Sequence, residues 1–382
     1  MYNAVNIKQI SEFSRNKNEK SEVNNKRVYY LDVLRVVSIL SVILLHSASA
    51  ITEDLISIGS VHWWAANVIN SLCRWSVLVF FMISGALILG NSKEESLKTF
   101  FHKRFFKIAV PFFIWSFVYS VVKHCILYKD ITSILAMPKI FINELLFDKV
   151  YYHFWFMYVI LGMYCVLPFI KKIINNLSKG ELQFWLGAWF FIAFVYRSVQ
   201  IIYANSTNKE LYISFLNIPF FTGYIGFFIL GYYLHKYEVK RITDYIFYIL
   251  GFVSFLVVPL MTYINSAGKD YLDESFYSHF SMTSIFTAVA VFLLFKNIKW
   301  EGLLNNKMKK LMTSLSNSTF GIYLIHLLVQ ILLLGFFLEW FALDNLFVVA
   351  IYGLNLVANF LICYIFLKIV SLNKRAYRIL FG

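Results

Sequence analysis

The chain has 382 residues, of which 59% are apolar, 19% aromatic and only 15% charged, with a mean hydropathy of +0.66. A soluble domain of this length fills its core with far fewer apolar residues, so a soluble enzyme, a secreted domain and a nucleic-acid-binding protein are excluded as readings of the whole chain. Its 35 Lys and Arg against 21 Asp and Glu give +14, an excess that in membrane proteins usually reflects positively charged cytoplasmic loops.

Residues 1–27 form a polar tail rich in Asn, Lys, Ser and Glu, a composition that predicts disorder. Apolar runs follow at about 29–51, 63–90, 105–127, 150–170, 182–203, 218–235, 244–264, 279–295, 317–338 and 345–370. A membrane helix needs about 20 predominantly apolar residues. The pattern therefore predicts an all-α, polytopic integral membrane protein with about ten transmembrane helices over 28–372, followed by a short end at 373–382. The run at 279–295 is the most dilute, interrupted by Ser281, Thr283, Ser284 and Thr287. The first run follows a basic tail and contains Ala48-Ser49-Ala50, which resembles a cleavable signal peptide. Asp32 and Arg35 interrupt its start, and nine more runs follow, so a retained first span is expected.

The cations alternate from gap to gap. One set of gaps, including both ends of the chain, holds 26 of the 35 Lys and Arg; the other set holds five, and four lie within spans. This asymmetry predicts both termini in the cytoplasm, and it explains the net charge without nucleic acid. The longest outer gap, about 128–149, is too short for a second domain. Cys73, Cys125, Cys165 and Cys363 all fall in spans with no C-x-x-C spacing, so they read as packing residues and neither a metal site nor a disulfide frame is expected.

An ionisable group at the bilayer centre costs at least ~2.5–3.5 kcal/mol on insertion scales, so it normally faces a polar interior or a partner. The first span carries Asp32, Arg35 and His46. Eleven residues make close to three helical turns, so Arg35 and His46 share a face roughly 16 Å apart along the axis. Asp32 lies on the same stripe, within reach of Arg35. Snorkelling of Arg35 and a simple interhelical hydrogen bond from His46 are the bland alternatives. Arg74 lies mid-span, where an internal partner or an anionic ligand is expected, and Ser84-Gly85 just beyond it lets helices approach closely. Lys123 and Arg197 sit near outer ends and read as snorkelling. His153, opening the fourth span, suits an aromatic belt or a site equally; His326 in the ninth span is deeper and open to packing or function. Arg104 and Lys107, three apart, form a candidate phosphate clamp on the cytoplasmic side, or ordinary positive-inside charge.

Tyr30-Leu31-Asp32-Val33-Leu34-Arg35 followed by His46 resembles the arginine–ten residues–histidine signature of the membrane-bound acyltransferase 3 family. Val79 to Leu87 is similar to that family's second-helix signature. Arg104-Phe105-Phe106-Lys107 is similar to its arginine-x-x-arginine segment, with lysine in the second place. His153-Phe154-Trp155-Phe156 with Tyr164 and Pro168, Phe228 to Tyr232, and Phe320 to His326 match in order, so the resemblance covers about 29–370. It implies a ten-helix enzyme of the bacterial inner membrane, of the single-domain branch that includes surface-polysaccharide O-acetyltransferases. It implies acetyl-CoA as acyl donor with no metal, and a glycan or lipid-linked glycan as acceptor, in a setting of membrane lipid. By position, Arg35 would help bind the donor, His46 would be the catalytic histidine and Arg104 would meet the donor's phosphates. Lys107 lacks arginine's bidentate fork. Arg74, His153, His326 and Asp32 are left as substrate or oxyanion contacts. His46 could act as a base or through an acetyl-histidine. A glycan or lipid-linked-intermediate transporter, with no acyl-CoA dependence, is the competing class.

Overall fold

The computed structural model describes residues 27–54, 57–91, 95–130, 134–207, 209, 211–213, 223–341 and 348–382. The tail at 1–26 and the starts of the runs at 218–235 and 345–370 lie outside the described residues. Among the described residues there is no strand. The helices are α1 (Tyr29–Asp54), α2 (Val61–Cys73), α3 (Trp75–Leu89), α4 (Leu97–Leu127), α5 (Met137–Leu146), α6 (Trp155–Asn176) and α7 (Lys179–Tyr203). They continue as α8 (Ile225–Lys236), α9 (Arg241–Ser266), α10 (Met282–Asn297), α11 (Asn306–Phe341), α12 (Val348–Ser371) and α13 (Lys374–Phe381).

Nine stretches among the described residues are long and apolar enough to cross a membrane, so the chain is an all-α polytopic membrane protein. The run at 218–235 contributes α8, whose 12 described residues are too few to count by themselves. The dilute run at 279–295 is helical because its hydroxyls stay local. Ser281 caps α10 by accepting from Ser284 N at 3.1 Å, Ser284 Oγ donates to Ser278 O, and Thr287 Oγ1 donates to Thr283 O at 3.0 Å. No hydroxyl there is left unpaired toward lipid.

Three features depart from the sequence reading. The run at 63–90 is two helices, α2 and α3, that meet at Arg74, whose backbone stays in the helical region, and together they make one span, Val61–Leu89. The gap at 128–149 contains α5, tied back through Glu144, which accepts from Ser120 Oγ at 2.6 Å, meets His124 Nε2 at 3.1 Å and pairs with Lys123. Lys123 also donates to Lys149 O and Val150 O, at 2.7 and 3.2 Å, so it does not snorkel; it braces the loop that leads to His153. The third is local winding. Both α4 and α7 contain π-helical turns, at Phe101–Phe105, Val122–Leu127 and Phe191–Tyr196.

Between lipid-exposed helices, close packing replaces the hydrophobic effect, and small residues permit it. At the crossing of α3 and α8, a Cβ on Gly85 would lie 1.9 Å from Phe228 O, and one on Gly231 would lie 2.1 Å from Met82 O. The two backbones touch because neither position has a side chain. Two large apolar clusters result, beside a small one of Ala48, Ala66, Ile351 and Tyr352. One large cluster joins α1, α3, α4, α6, α7, α8 and α10; the other joins α1, α4, α6, α11, α12 and α13. α13, capped by Asn373, closes the second by stacking Phe381 on Trp115 at 5.5 Å. A cavity lies where the two clusters meet.

Candidate active site

That cavity has a volume of about 590 Å³ and is lined along its length by α1. Arg35 and Lys107 line one part, with Ser316 and Asn317 of α11; His46, Arg74, His153 and His279 line another. The eleven-residue spacing thus brings Arg35 and His46 into one space, about three turns apart.

At the Arg35 end, the guanidinium and carboxylate of α1 do not pair directly. Asp32 pairs with Arg27 and accepts from Ser316 Oγ at 2.7 Å, while Arg35 Nη1 donates to the same Ser316 Oγ at 3.3 Å. The direct Asp32–Arg35 pair expected from the stripe is replaced by a serine bridge, because Arg27 reaches the carboxylate first. This leaves most of the Arg35 fork aimed into the cavity. Lys107 lines the cavity as well, but Arg104 does not. Its Nε donates to Glu95 Oε2 at 3.3 Å, and its guanidinium lies 5.7 Å from the Phe100 ring centre. Of the expected clamp, one cation faces the cavity and the other is already paired.

At the other end three imidazoles converge. Ring centres of His46 and His326 lie 5.3 Å apart, His153 and His326 5.6 Å, and His46 and His153 6.5 Å. His153 is buried, packed on Phe154 at 4.1 Å, and is no interfacial anchor. His326 is fully buried, and its Nδ1 lies 2.7 Å from Tyr323 O. In the neutral ring that contact puts the proton on Nδ1 and the lone pair on Nε2. His326 Nε2, His46 Nδ1 and both nitrogens of His153 have no hydrogen-bond partner within the chain. Unpaired buried polar groups cost roughly 1–3 kcal/mol each. Their concentration at one end of the cavity, on His46 and His153 that line it and on His326 packed beside them, marks a place built for something other than packing.

Arg74 sits at the junction of α2 and α3. Its Nε donates to Asn70 Oδ1 at 2.7 Å, and its guanidinium stacks on Tyr277 with 4.0 Å to the ring centre. Asn70 Nδ2 in turn donates to Ser49 Oγ at 2.9 Å, one turn beyond His46 on α1. A fixed cation therefore stands level with the imidazoles. Among the described residues, no group of three or more His, Cys, Asp or Glu side chains has metal-holding geometry.

Sequence reasoning missed three kinds of residue here. His279 enters the cavity from the turn before α10, stacked on Trp155 at 5.1 Å; its only signal was its place at the head of an apolar run. Tyr152 meets the His46 ring edge-on at 5.3 Å. A buried amide network also joins the helices that carry the imidazoles. Gln330 Nε2 donates to Ser47 Oγ at 3.0 Å, and Asn359 Nδ2 lies 3.0 Å from both Gln330 Oε1 and His326 O.

No curated protein and no solved structure matches the chain. The family profile described as an acyltransferase domain, that of acyltransferase 3, matches residues 28–368. That span contains α1 to α11 and nearly all of α12, and with them every residue of the cavity. The chain belongs to the acyltransferase 3 family.

Proposed function

We propose that this acyltransferase is an O-acetyltransferase of the bacterial inner membrane. It would take acetyl from acetyl-CoA in the cytoplasm and pass it to a hydroxyl of an extracytoplasmic or lipid-linked surface polysaccharide. What supports this is one cavity with Arg35 and Lys107 toward one end and, toward the other, imidazole nitrogens that no group of the chain partners. With both termini in the cytoplasm, as the charge alternation predicts, Arg35 and Lys107 lie at the cytoplasmic end. There they would hold the phosphates of CoA by charge-assisted hydrogen bonds.

The thioester reaches toward His46. The imidazole takes the proton of the acceptor hydroxyl as its oxygen attacks the thioester carbonyl. The C–O bond forms, the C–S bond breaks, and the CoA thiolate leaves and is protonated. Arg74, immobilised by Asn70 and Tyr277, is the cation available to the oxyanion of the tetrahedral intermediate. His326, with its Nδ1 proton committed to Tyr323 O, keeps a lone pair on Nε2, and its ring centre lies 5.3 Å from that of His46.

The test is transfer of radiolabelled acetyl from acetyl-CoA to glycan in inverted membrane vesicles, comparing wild type with His46→Ala. Label that disappears in the variant supports the reaction and the role of His46. Equal label in both removes His46 from it. No label in either, with the protein folded and acceptor present, counts against acetyl transfer and leaves glycan transport as the competing class.

A further inference from the structure

Lys107 stands on a turn that α4 holds poorly by itself. A π-helical turn at Phe101–Phe105 comes just before it, and Pro111 follows one turn later. Proline has no N–H, so the helical hydrogen bond that residue 111 would donate to Lys107 O is missing. The side chain is a long, flexible stem, exposed where it lines the cavity. A cation on such a stem loses rotamer freedom each time it binds an anion, unless something orders it beforehand.

α13 packs against this turn. Gly382, just past the last residue of α13, has φ +82°, and a Cβ on it would lie 2.4 Å from Lys107 O and 2.7 Å from Lys107 Cγ. That backbone conformation and that close approach both favour glycine. The contact falls on the carbonyl that Pro111 leaves without its helical donor, and on the stem of the side chain.

Phe381 holds α13 in place. It is 3% exposed and sits where α13 meets three other helices. It stacks on Trp115 of α4 at 5.5 Å and meets Phe366 of α12 edge-on at 6.3 Å. It also lies over Gly321 of α11, where a Cβ would come within 3.1 Å of its ring. Trp115 Nε1 donates to Leu380 O at 2.8 Å, and Tyr377 packs on Phe381 from one turn back, at 5.6 Å. Two of these helices build one end of the cavity: α4 carries Lys107, and α11 carries Ser316, which accepts from Arg35. Lys374, Arg375 and Arg378 are exposed on α13, so its buried side is the one committed to the junction.

We infer that α13 is a strap that orders Lys107 for the phosphates of the donor, with Phe381 as the positioning residue that seats it. Phe381 does not line the cavity; it acts through Lys107. This rests on the acyl-CoA-donor reading proposed above.

The experiment titrates acetyl-CoA into the full-length protein, purified in detergent, and reads the dissociation constant by calorimetry with no acceptor present. Wild type, Phe381→Ala, Phe381→Leu and Trp115→Phe are compared, and each variant is also made with Lys107→Ala. Phe381→Ala is expected to weaken binding by roughly three- to tenfold, the scale of ordering one long side chain. Phe381→Leu refills the junction and keeps the constant within about twofold of wild type. In the Lys107→Ala background, Phe381→Ala has no further effect, because its route to the donor is gone. A merely structural role would weaken binding equally in both backgrounds. Trp115→Phe keeps an aromatic ring against Phe381 and removes only the bond to Leu380 O. It supplies the same comparison if Phe381→Ala does not fold. Unchanged binding in Phe381→Ala, or a loss that persists without Lys107, overturns the strap while leaving Lys107 as a donor contact. Unchanged binding in Lys107→Ala removes that contact and the strap with it. A wild type that binds no acetyl-CoA overturns the donor reading itself.

Discussion

The imidazoles of His46 and His326 stand 5.3 Å apart at a tilt of 36°, across the contact between α1 and α11. Their spacing depends on the register of three helices, and the Ser47–Gln330–Asn359 network sets that register. Asn359 also holds the backbone carbonyl of His326. Asn359→Leu keeps the number and branching of side-chain heavy atoms and removes these bonds together with the one Asn359 Oδ1 accepts from Cys363 Sγ. It should lower kcat by roughly 10–100-fold through misplacement of the rings while KM for acetyl-CoA stays within about twofold. Steady-state kinetics on purified protein check this; a rise in KM alone would place the network at the donor end instead.

The two cations of the basic segment should separate. Lys107 faces the cavity, and Arg104 is paired with Glu95. A charge-assisted hydrogen bond contributes about 1.5–3 kcal/mol, so Lys107→Ala and Arg35→Ala should each raise KM for acetyl-CoA by roughly 10–150-fold. Arg104→Ala removes a partly exposed pair worth about 1 kcal/mol or less, so its effect should stay under about fivefold. A larger effect at Arg104 than at Lys107 would mean that the donor enters beside the cavity.

The Glu144 brace should make stability depend on pH. Burial of Glu144 raises its pKa, but hydrogen bonds from Lys123, Ser120 and His124 outweigh it and hold the carboxyl below its ordinary range. A group depressed on folding adds stability above its unfolded pKa and loses it as pH falls through the folded value. The thermal midpoint should therefore drop below the ordinary carboxylate range in the wild type. Glu144→Gln should start lower, by about 1–3 kcal/mol for the hydrogen-bonded charge removed, and should show a shallower drop. Thermal unfolding in detergent at several pH values measures both.

The α3–α8 crossing should tolerate nothing larger than glycine. Gly85→Leu or Gly231→Leu would force two backbones apart and should abolish recovery of monodisperse protein. Gly162→Ala, where no atom lies within 4 Å of the added Cβ, should be recovered like wild type. Yield on size-exclusion chromatography decides it.

Much of the fold was legible because a membrane helix announces itself by length and apolarity, and Arg35 and His46 because eleven residues return to the same helix face. The junction of α2 and α3 at Arg74 was hidden because apolar residues continue through it and its backbone stays in the helical region. α5 was missed because ten residues among scattered lysines do not look like a span. The Ser316 bridge between Asp32 and Arg35, and the meeting of His153 with His326, depend on which helices are neighbours. Local spacing does not encode that. Hydroxyls that seemed to weaken α10 instead satisfy its first turns.

In the proposed reaction one cavity joins a donor on one face of the membrane to an acceptor on the other. The direct measurement uses proteoliposomes with the protein in a single orientation, acetyl-CoA confined to the Arg35 and Lys107 face, and glycan on the other. Labelled acetyl on the glycan of the opposite face, lost in His46→Ala, is the predicted result. Label found only on glycan supplied on the same face as acetyl-CoA would contradict it.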